Sequence, residues 1–246
     1  MYLIRNIIIY IILFIFLISF YFLIIEERKI EKEELKKETV KNATIKKSPA
    51  KKKKIILTKK KKKFINLVLP SVLKIHEELQ QRYEKIAKNI KNGTNKAEID
   101  ALKARYKAKS DKDLLAKLKP HPVSIALAQA AMESSWGKSR FAKEANNYFG
   151  MWSSSKNGPR IAAAEQRDNN RTIWLKKFNS LDDAVRDYYD TIARVKAYKK
   201  LRRLRIHYND PYKITPGLDK YSETGKSYVD KINQVIKYND LTRYDH

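Results

Sequence analysis

Carboxylates are the residues in this sequence best placed to do chemistry, and Glu133 stands apart among them. It lies within His121–Trp152, HPVSIALAQAAMESSWGKSRFAKEANNYFGMW. Val123, Ala126, Leu127 and Ala130 recur at three- and four-residue steps, which predicts one buried helical stripe, and Glu133 continues it. Pro122 suits the first helical position, and Gly137, just past Ser135 and Trp136, reads as the C-terminal stop. The acid is therefore expected where helix gives way to loop, beside an indole. Burial disfavours the charged form, so such a carboxyl should have a raised pKa and be able to donate a proton near neutral pH. Cleavage of a glycosidic bond needs that donor, because a sugar oxygen leaves poorly until it is protonated. The plainer reading of the same residue is a helix-end glutamate facing water.

Other chemistries find little support. Ser/His/Asp and Cys/His motifs are absent, as are phosphate-cradling glycine loops. Without cysteine there is neither a disulfide framework nor a cysteine metal site. His76, His121, His207 and His246 are scattered without ligand-like spacing, so no metal and no cofactor are expected.

Four blocks in order along the chain carry a resemblance. They are E-S-S-W-G-K-S from Glu133, N-N-Y-F-G-M-W from Asn146, F-N-S-L-D-D-A-V-R-D-Y from Phe178, and K-Y-S-E-T-G-K-S-Y-V from Lys220. Together they resemble the glucosaminidase domain of bacterial peptidoglycan hydrolases, glycoside hydrolase family seventy-three, and most closely its Bax-like branch. The resemblance runs from about Phe64 to the C-terminus and is strongest from His121 onward.

What it implies is a mainly α, lysozyme-like (α+β) domain with a small two-stranded β-lobe. That domain would be an endo-β-N-acetylglucosaminidase cleaving β-1,4 links after N-acetylglucosamine in the peptidoglycan glycan strand, with Glu133 as general acid. Glu165 matches the family's β-lobe glutamate and would be the second carboxylate, with Asp168 a close competitor. Tyr221 matches a family tyrosine near the acid, where it would orient the N-acetyl group or water; a packing tyrosine is the other reading. Trp136, Asn147, Tyr148, Phe149 and Trp152 would line the sugar subsites, since pyranose C–H faces pack on aromatic rings and an amide both donates to and accepts from an acetamido group. The same residues also read as a local aromatic core. Met151 stands where members often carry Lys or Gln, and Ser153–Ser155 where Bax-like proteins often carry cysteines. A lytic transglycosylase-type muramidase, which also uses a helix-end E-S acid, is the alternative enzyme. A non-catalytic basic wall-binding or nucleic-acid-binding module is the alternative outside enzymology.

The elements that must position these residues are read from periodicity. The chain has 246 residues and a net charge of +27, enough for one domain with a sizeable core plus extensions. Asn6–Ile25 is almost entirely Ile, Leu, Phe and Tyr and is long enough to span a bilayer. No small-residue cleavage site follows Ser19, so residues 1–25 are expected to be an uncleaved transmembrane signal anchor. The lysines beyond Ile25 alone would favour a cytoplasmic C-terminus. The resemblance implies the opposite, and a single-pass protein of the cytoplasmic (inner) membrane, its catalytic domain facing the periplasm or cell wall, is the expected arrangement.

Residues 26–63 carry 17 Lys plus Arg against 6 acids and read as a solvated tether. It would either attract anionic lipid head groups or acidic wall polymer, or serve as a linker with no specific partner. Phe64–His246 is itself basic, yet no nucleic-acid-binding signature appears and no nucleic-acid partner is expected.

Residues 64–120 read as a helical region packed on the catalytic domain. Pro70 suits a first turn, Val72 to Ile90 form one face, and Gly93 ends the run. Two shorter helices follow, around Ile99–Tyr106 and Leu114–Leu118. The catalytic domain is assigned to residues 121–246. Within it, Ile161–Gln166 and Thr172–Leu175 around Asp168–Asn170 predict a hairpin. Ser180 caps a helix with Ala184, Val185, Tyr188, Ile192 and Val195 facing inward, Leu201 and Leu204 continue a basic helix, and Tyr228, Ile232, Val235 and Ile236 form the last stripe.

Overall fold

A computed structural model of the chain describes residues 57–155, 157–167, 171–222 and 224–245, without the side chains of 164–167 and 171. The expected membrane segment and the tether as far as residue 56 lie outside the described residues. Among those described, no helix is long and apolar enough to cross a membrane.

The domain is mainly helical with one two-stranded sheet. In chain order it contains α1 (Lys59–Asn92), α2 (Lys96–Tyr106), α3 (Asp111–Leu118), α4 (Val123–Glu133), α5 (Arg140–Ala145), β1 (Arg160–Arg167), β2 (Arg171–Lys176), α6 (Leu181–Arg194), α7 (Lys199–His207), α8 (Pro211–Ile214) and α9 (Lys226–Tyr238). Short 3-10 turns cover Lys196–Tyr198, Thr215–Leu218 and Leu241–Tyr244.

α4 is the axis of the core. All nine residues from Val123 to Ala131 are buried, and its small side chains admit α1, α9 and the C-terminal 3-10 turn at close range. Pro122 is the residue before the helix rather than its first turn, and its side chain makes no cap. The cap comes from far away: Asp245 accepts from the Ser124 backbone N–H (2.7 Å) and hydroxyl (2.6 Å), placing a carboxylate at the positive end of the helix.

α1 begins at Lys59, capped by Thr58, so the lysine run 59–63 forms its first turns and both Leu57 and Phe64 are buried. Pro70 lies inside this helix, not at its start. It is exposed, where the carbonyl left without a partner one turn earlier can be solvated. The first half of α1 packs on α4. Its second half joins α2, α3 and α6 in a separate cluster of Ile86, Ile99, Tyr106, Leu114, Leu118 and Ala193. α2 and α3 thus belong to this second cluster, apart from the main core around α4. Lys74–Asp182 (2.7 Å) and Arg186–Glu78 (2.6 Å) tie α1 to α6 across its surface.

α6 starts at the Ser180 cap as expected, but Val195 is its C-cap and is 43% exposed, because the helix ends before another turn can carry that residue inward. Gly217 fixes the spacing of α7: a β-carbon there would lie 2.3 Å from the Leu201 Cα. The strands pair antiparallel, Arg160 with Lys176 through Arg167 with Arg171, with an irregularity between Ala162 and Gln166. The Lys176–Asp187 ion pair (2.6 Å) joins β2 to α6.

Candidate active site

Glu133 is the last residue of α4, and the sequence beyond it builds a self-braced reversal. Ser134 Oγ donates to the Ala130 carbonyl (2.6 Å) and accepts from the Gly137 N–H (2.8 Å). The Trp136 N–H donates back to Ala131 O (2.7 Å) and the Ser139 N–H to Ser134 O (2.9 Å). Ser135, Trp136 and Gly137 all take positive φ, at 49°, 57° and 76°. Two of these are not glycine, so the reversal holds strained backbone that its hydrogen bonds and packing must offset. Phe64 of α1 supplies much of that packing, edge-on to Trp136 at 5.4 Å and against Gly137.

The Glu133 carboxyl is half-buried among tyrosines. Tyr228 of α9 donates to Oε1 at 2.9 Å. Tyr221 stacks on Tyr228 at 5.3 Å, and Tyr198 lies 5.7 Å from Tyr221. Gly150, at φ 65°, lies alongside the carboxyl: a β-carbon there would sit 3.6 Å from Oε2. Burial raises the pKa of Glu133 to about 7, and the Tyr228 hydrogen bond, which favours the ionised form, offsets part of that rise. The acid is therefore poised to hold or release a proton near neutrality.

Behind Glu133 runs a chain of buried hydrogen bonds through the core. Gln129 Nε2 donates to Tyr228 Oη (3.0 Å), Tyr188 Oη donates to Gln129 Oε1 (2.5 Å), and His121 Nε2 meets Tyr188 Oη at 2.8 Å. Arg205 Nη1 meets His121 Nδ1 at 3.4 Å, while its Nη2 donates to the Ala116 and Lys117 carbonyls. Each hydroxyl has one proton, so the donors assign themselves. Tyr228 donates to Glu133, Tyr188 to Gln129, and His121 must then carry its proton on Nε2 and accept from Arg205 on Nδ1. Burial and the neighbouring Arg205 hold the imidazole well below its usual pKa, in keeping with that neutral tautomer. Every donor in the chain points toward Glu133.

The other residues singled out from sequence fall into distinct roles. Trp152 is 63% exposed, bridged through its backbone to Leu175, and Trp136 is half-buried with the Lys61 ammonium 5.1 Å from its ring centroid. Both present aromatic surface. Phe149 does not: it is 1% exposed and stacked on Tyr188 at 4.2 Å, so it is core. Tyr148 is buried against Phe64. Asn147 departs most clearly from expectation. Its Nδ2 donates to the Met151 and Lys176 carbonyls (2.9 Å each) and its Oδ1 accepts from the Met151 N–H (2.8 Å), so both donors brace the loop and none is left for an acetamido group. Tyr221 donates to the Phe149 carbonyl at 3.0 Å. Glu165 belongs to β1, within its irregular stretch, but its side chain and Asp168 lie outside the described residues.

Tyr228, Gln129 and Gly150 are the contributors that sequence reasoning passed over. Tyr228 was readable in principle, since a tyrosine on a buried stripe must find a partner for its hydroxyl. Gln129, polar within a run of alanines, carried the same signal.

The chain matches the family model described as Glucosaminidase, mannosyl-glycoprotein endo-beta-N-acetylglucosaminidase, over residues 108–241. It is 28% identical over 128 residues to the exo-glucosaminidase LytG of Bacillus subtilis, covering 50% of this chain and 45% of that one. It is 29% identical over 133 residues to an N-acetylmuramoyl-L-alanine amidase domain-containing protein of Staphylococcus aureus, covering 50% of this chain and 21% of that one. The match takes in less than half the length of either relative. The crystal structure of the catalytic domain of the autolysin Auto from Listeria monocytogenes shares the fold, with a TM-score of 0.51 at 18% identity, over 87% of this chain and 97% of that one.

Proposed function

The chain belongs to the glucosaminidase family, and from that premise we propose that it is a peptidoglycan hydrolase, an endo-β-N-acetylglucosaminidase with Glu133 as its general acid. The observation that carries this reading is the Glu133 carboxyl, held at a helix end with its pKa near 7 and a single hydrogen-bond donor on Oε1. A protonated Glu133 delivers its proton to the glycosidic oxygen as the bond to the anomeric carbon breaks, and Tyr228 stabilises the carboxylate left behind. The exposed Trp152 offers a ring face to a sugar of the strand, and the half-buried Trp136 a smaller aromatic surface beside Lys61. Tyr221 acts by fixing the Phe149 carbonyl and the Tyr228 ring.

The second group is Glu165 of the β-lobe or the substrate's own acetamido oxygen, and Glu165→Gln separates them. A loss comparable to that of Glu133→Gln assigns Glu165 as base or nucleophile; a small loss assigns the acetamido route. The name of LytG marks an exo-acting enzyme, whereas the family description is endo-acting, and product length on intact glycan strands distinguishes the two.

The rest of the arrangement follows the sequence. Residues 6–25 anchor the chain in the cytoplasmic membrane, the lysine-rich stretch tethers it, and the domain works on the outer side, where protease added to spheroplasts should digest it. Mass spectrometry of digested peptidoglycan tests the activity. Reducing N-acetylglucosamine ends are expected, whereas anhydro-muramyl ends would assign a lytic transglycosylase. Glu133→Gln should lower turnover by roughly 10² to 10⁴. Turnover like wild type by a folded Glu133→Gln protein overturns the assignment.

A further inference from the structure

A cavity of about 70 Å³ lies at the junction of α1, α2, α3, α6 and α7, in the second cluster rather than at Glu133. Its wall is unusually cationic. Arg82, Arg105, Lys117, Lys119, Arg186 and Arg205 all contribute, against one carboxylate, Asp190. Only part of this charge is met nearby: Arg186 pairs with Glu78 and Asp190 with Arg194. Burial, and then the neighbouring Arg205, push Lys119 down, while burial, and then Arg202, push Arg205 down to about 9.

Three buried polar atoms of the wall have no hydrogen-bond partner: Arg82 Nε, Arg205 Nε and Asp190 Oδ1. Arg205 is 2% exposed, and its two terminal nitrogens are already committed to His121 and to backbone carbonyls, so its Nε–H is a fixed, unanswered donor. An unmet donor on a buried cation is costly, and this wall holds two such donors and one unmet acceptor. Arg82 and Arg105 come from α1 and α2, ahead of the stretch the family model matches, so the cavity is completed by helices outside that stretch.

We propose that this cavity is a binding site for a phosphate group bearing an ionisable hydroxyl, either inorganic phosphate or a phosphate monoester. The anionic oxygens accept from the Arg82 and Arg205 Nε–H groups within the field of the lysines and Arg105. The P–OH donates to Asp190 Oδ1, which an oxyanion without a proton cannot do. The volume exceeds the ~10–15 Å³ that one water needs. This site does not rest on the hydrolytic reading: Glu133, Tyr228, Trp136 and Trp152 are absent from its wall, and Arg205 is shared with the chain behind Glu133 only through its terminal nitrogen.

Isothermal titration calorimetry of the full chain in detergent, with inorganic phosphate against sulfate at fixed ionic strength, tests it. Saturable one-to-one binding of phosphate is expected, with sulfate about tenfold weaker, the effect of one charge-assisted hydrogen bond left unmade. Arg105→Gln, on the exposed side, should weaken phosphate several-fold without loss of fold. Asp190→Asn, whose amide can donate, should bring sulfate close to phosphate. A monoester such as glycerol phosphate competing with phosphate identifies the monoester source; failure to compete assigns the site to the free ion. No saturable heat with phosphate, equal affinity for both ions in the wild type, or phosphate binding unchanged in Arg105→Gln would each overturn the proposal.

Discussion

Glu133 and Arg205 end the same hydrogen-bonded chain, and the two ends respond to burial in opposite ways. Among the described residues neither meets an opposite charge, and both are displaced toward their neutral forms. The carboxyl is raised to about 7, where it titrates under ordinary conditions; the guanidinium is lowered from its ordinary strongly basic range but stops at about 9, still charged. The same physical cost therefore produces a proton donor at one end and a fixed cation at the other. Between them, Tyr228, Gln129, Tyr188 and His121 carry only neutral groups, each donor answered by an acceptor. A network completed in this way avoids the penalty that a half-satisfied one imposes.

Breaking the middle of the chain should have the largest effect on stability. Tyr188→Phe removes one hydroxyl and leaves both Gln129 Oε1 and His121 Nε2 without partners inside the core, so urea unfolding should show a loss of about 3 kcal/mol. A loss below about 0.5 kcal/mol would mean that the chain is incidental to the fold.

Glu133→Gln sharpens the contrast between the ends through the pH dependence of stability. The folded acid binds its proton more tightly than the unfolded one, so the group's contribution is most favourable below pH 4.5 and declines as pH rises to about 7. The amide cannot titrate. Relative to wild type, Glu133→Gln should become more stable by about 2 kcal/mol across that window, allowing for the acid's partial exposure, and thermal melts at pH 4.5 and 8 would show it. A constant difference would place the acid's pKa near its ordinary value.

Tyr228→Phe removes the one contact that favours the carboxylate. The pKa of Glu133 should rise further, and the high-pH limb of kcat/KM should move to higher pH, opposite to the direction expected if the hydroxyl merely excluded water. At the other end, Lys119→Gln should leave kcat/KM unchanged within error, since its ammonium donates to Asn209 and lies in the cavity wall, meeting the chain only through the charge of Arg205.

How much of this was legible depended on sequence separation. The end of α4 was readable because the apolar stripe and the acid are local, although the helix is capped at Ser134 and turned by Ser135 rather than stopped by Gly137, and the Ser180 cap and the hairpin were readable for the same reason. Pro70 and Val195 were misjudged where a local rule met a longer or shorter helix than its pattern implied. Asn147 and Phe149 were drawn toward the sugar by their place in a block, while their environment comes from Met151 and Lys176 in one case and Tyr188 in the other. The partners of Glu133, Gln129 and His121 lie 95, 99 and 67 residues away, and no periodicity reports such pairs.

The carboxylate of Asp245 that caps α4 has a consequence for the order in which the molecule can be made. It is separated from Ser124 by 121 residues, so at the ~5–20 residues per second of ribosomal synthesis the helix emerges roughly 6 to 24 s before its cap. For that interval an almost wholly apolar helix has neither its N-terminal acceptor nor the packing of α9, which is also made late. Until its last elements arrive, the nascent domain can cover α4 only from the side of α1, so docking of the C-terminal turn and α9 is the step that completes the core.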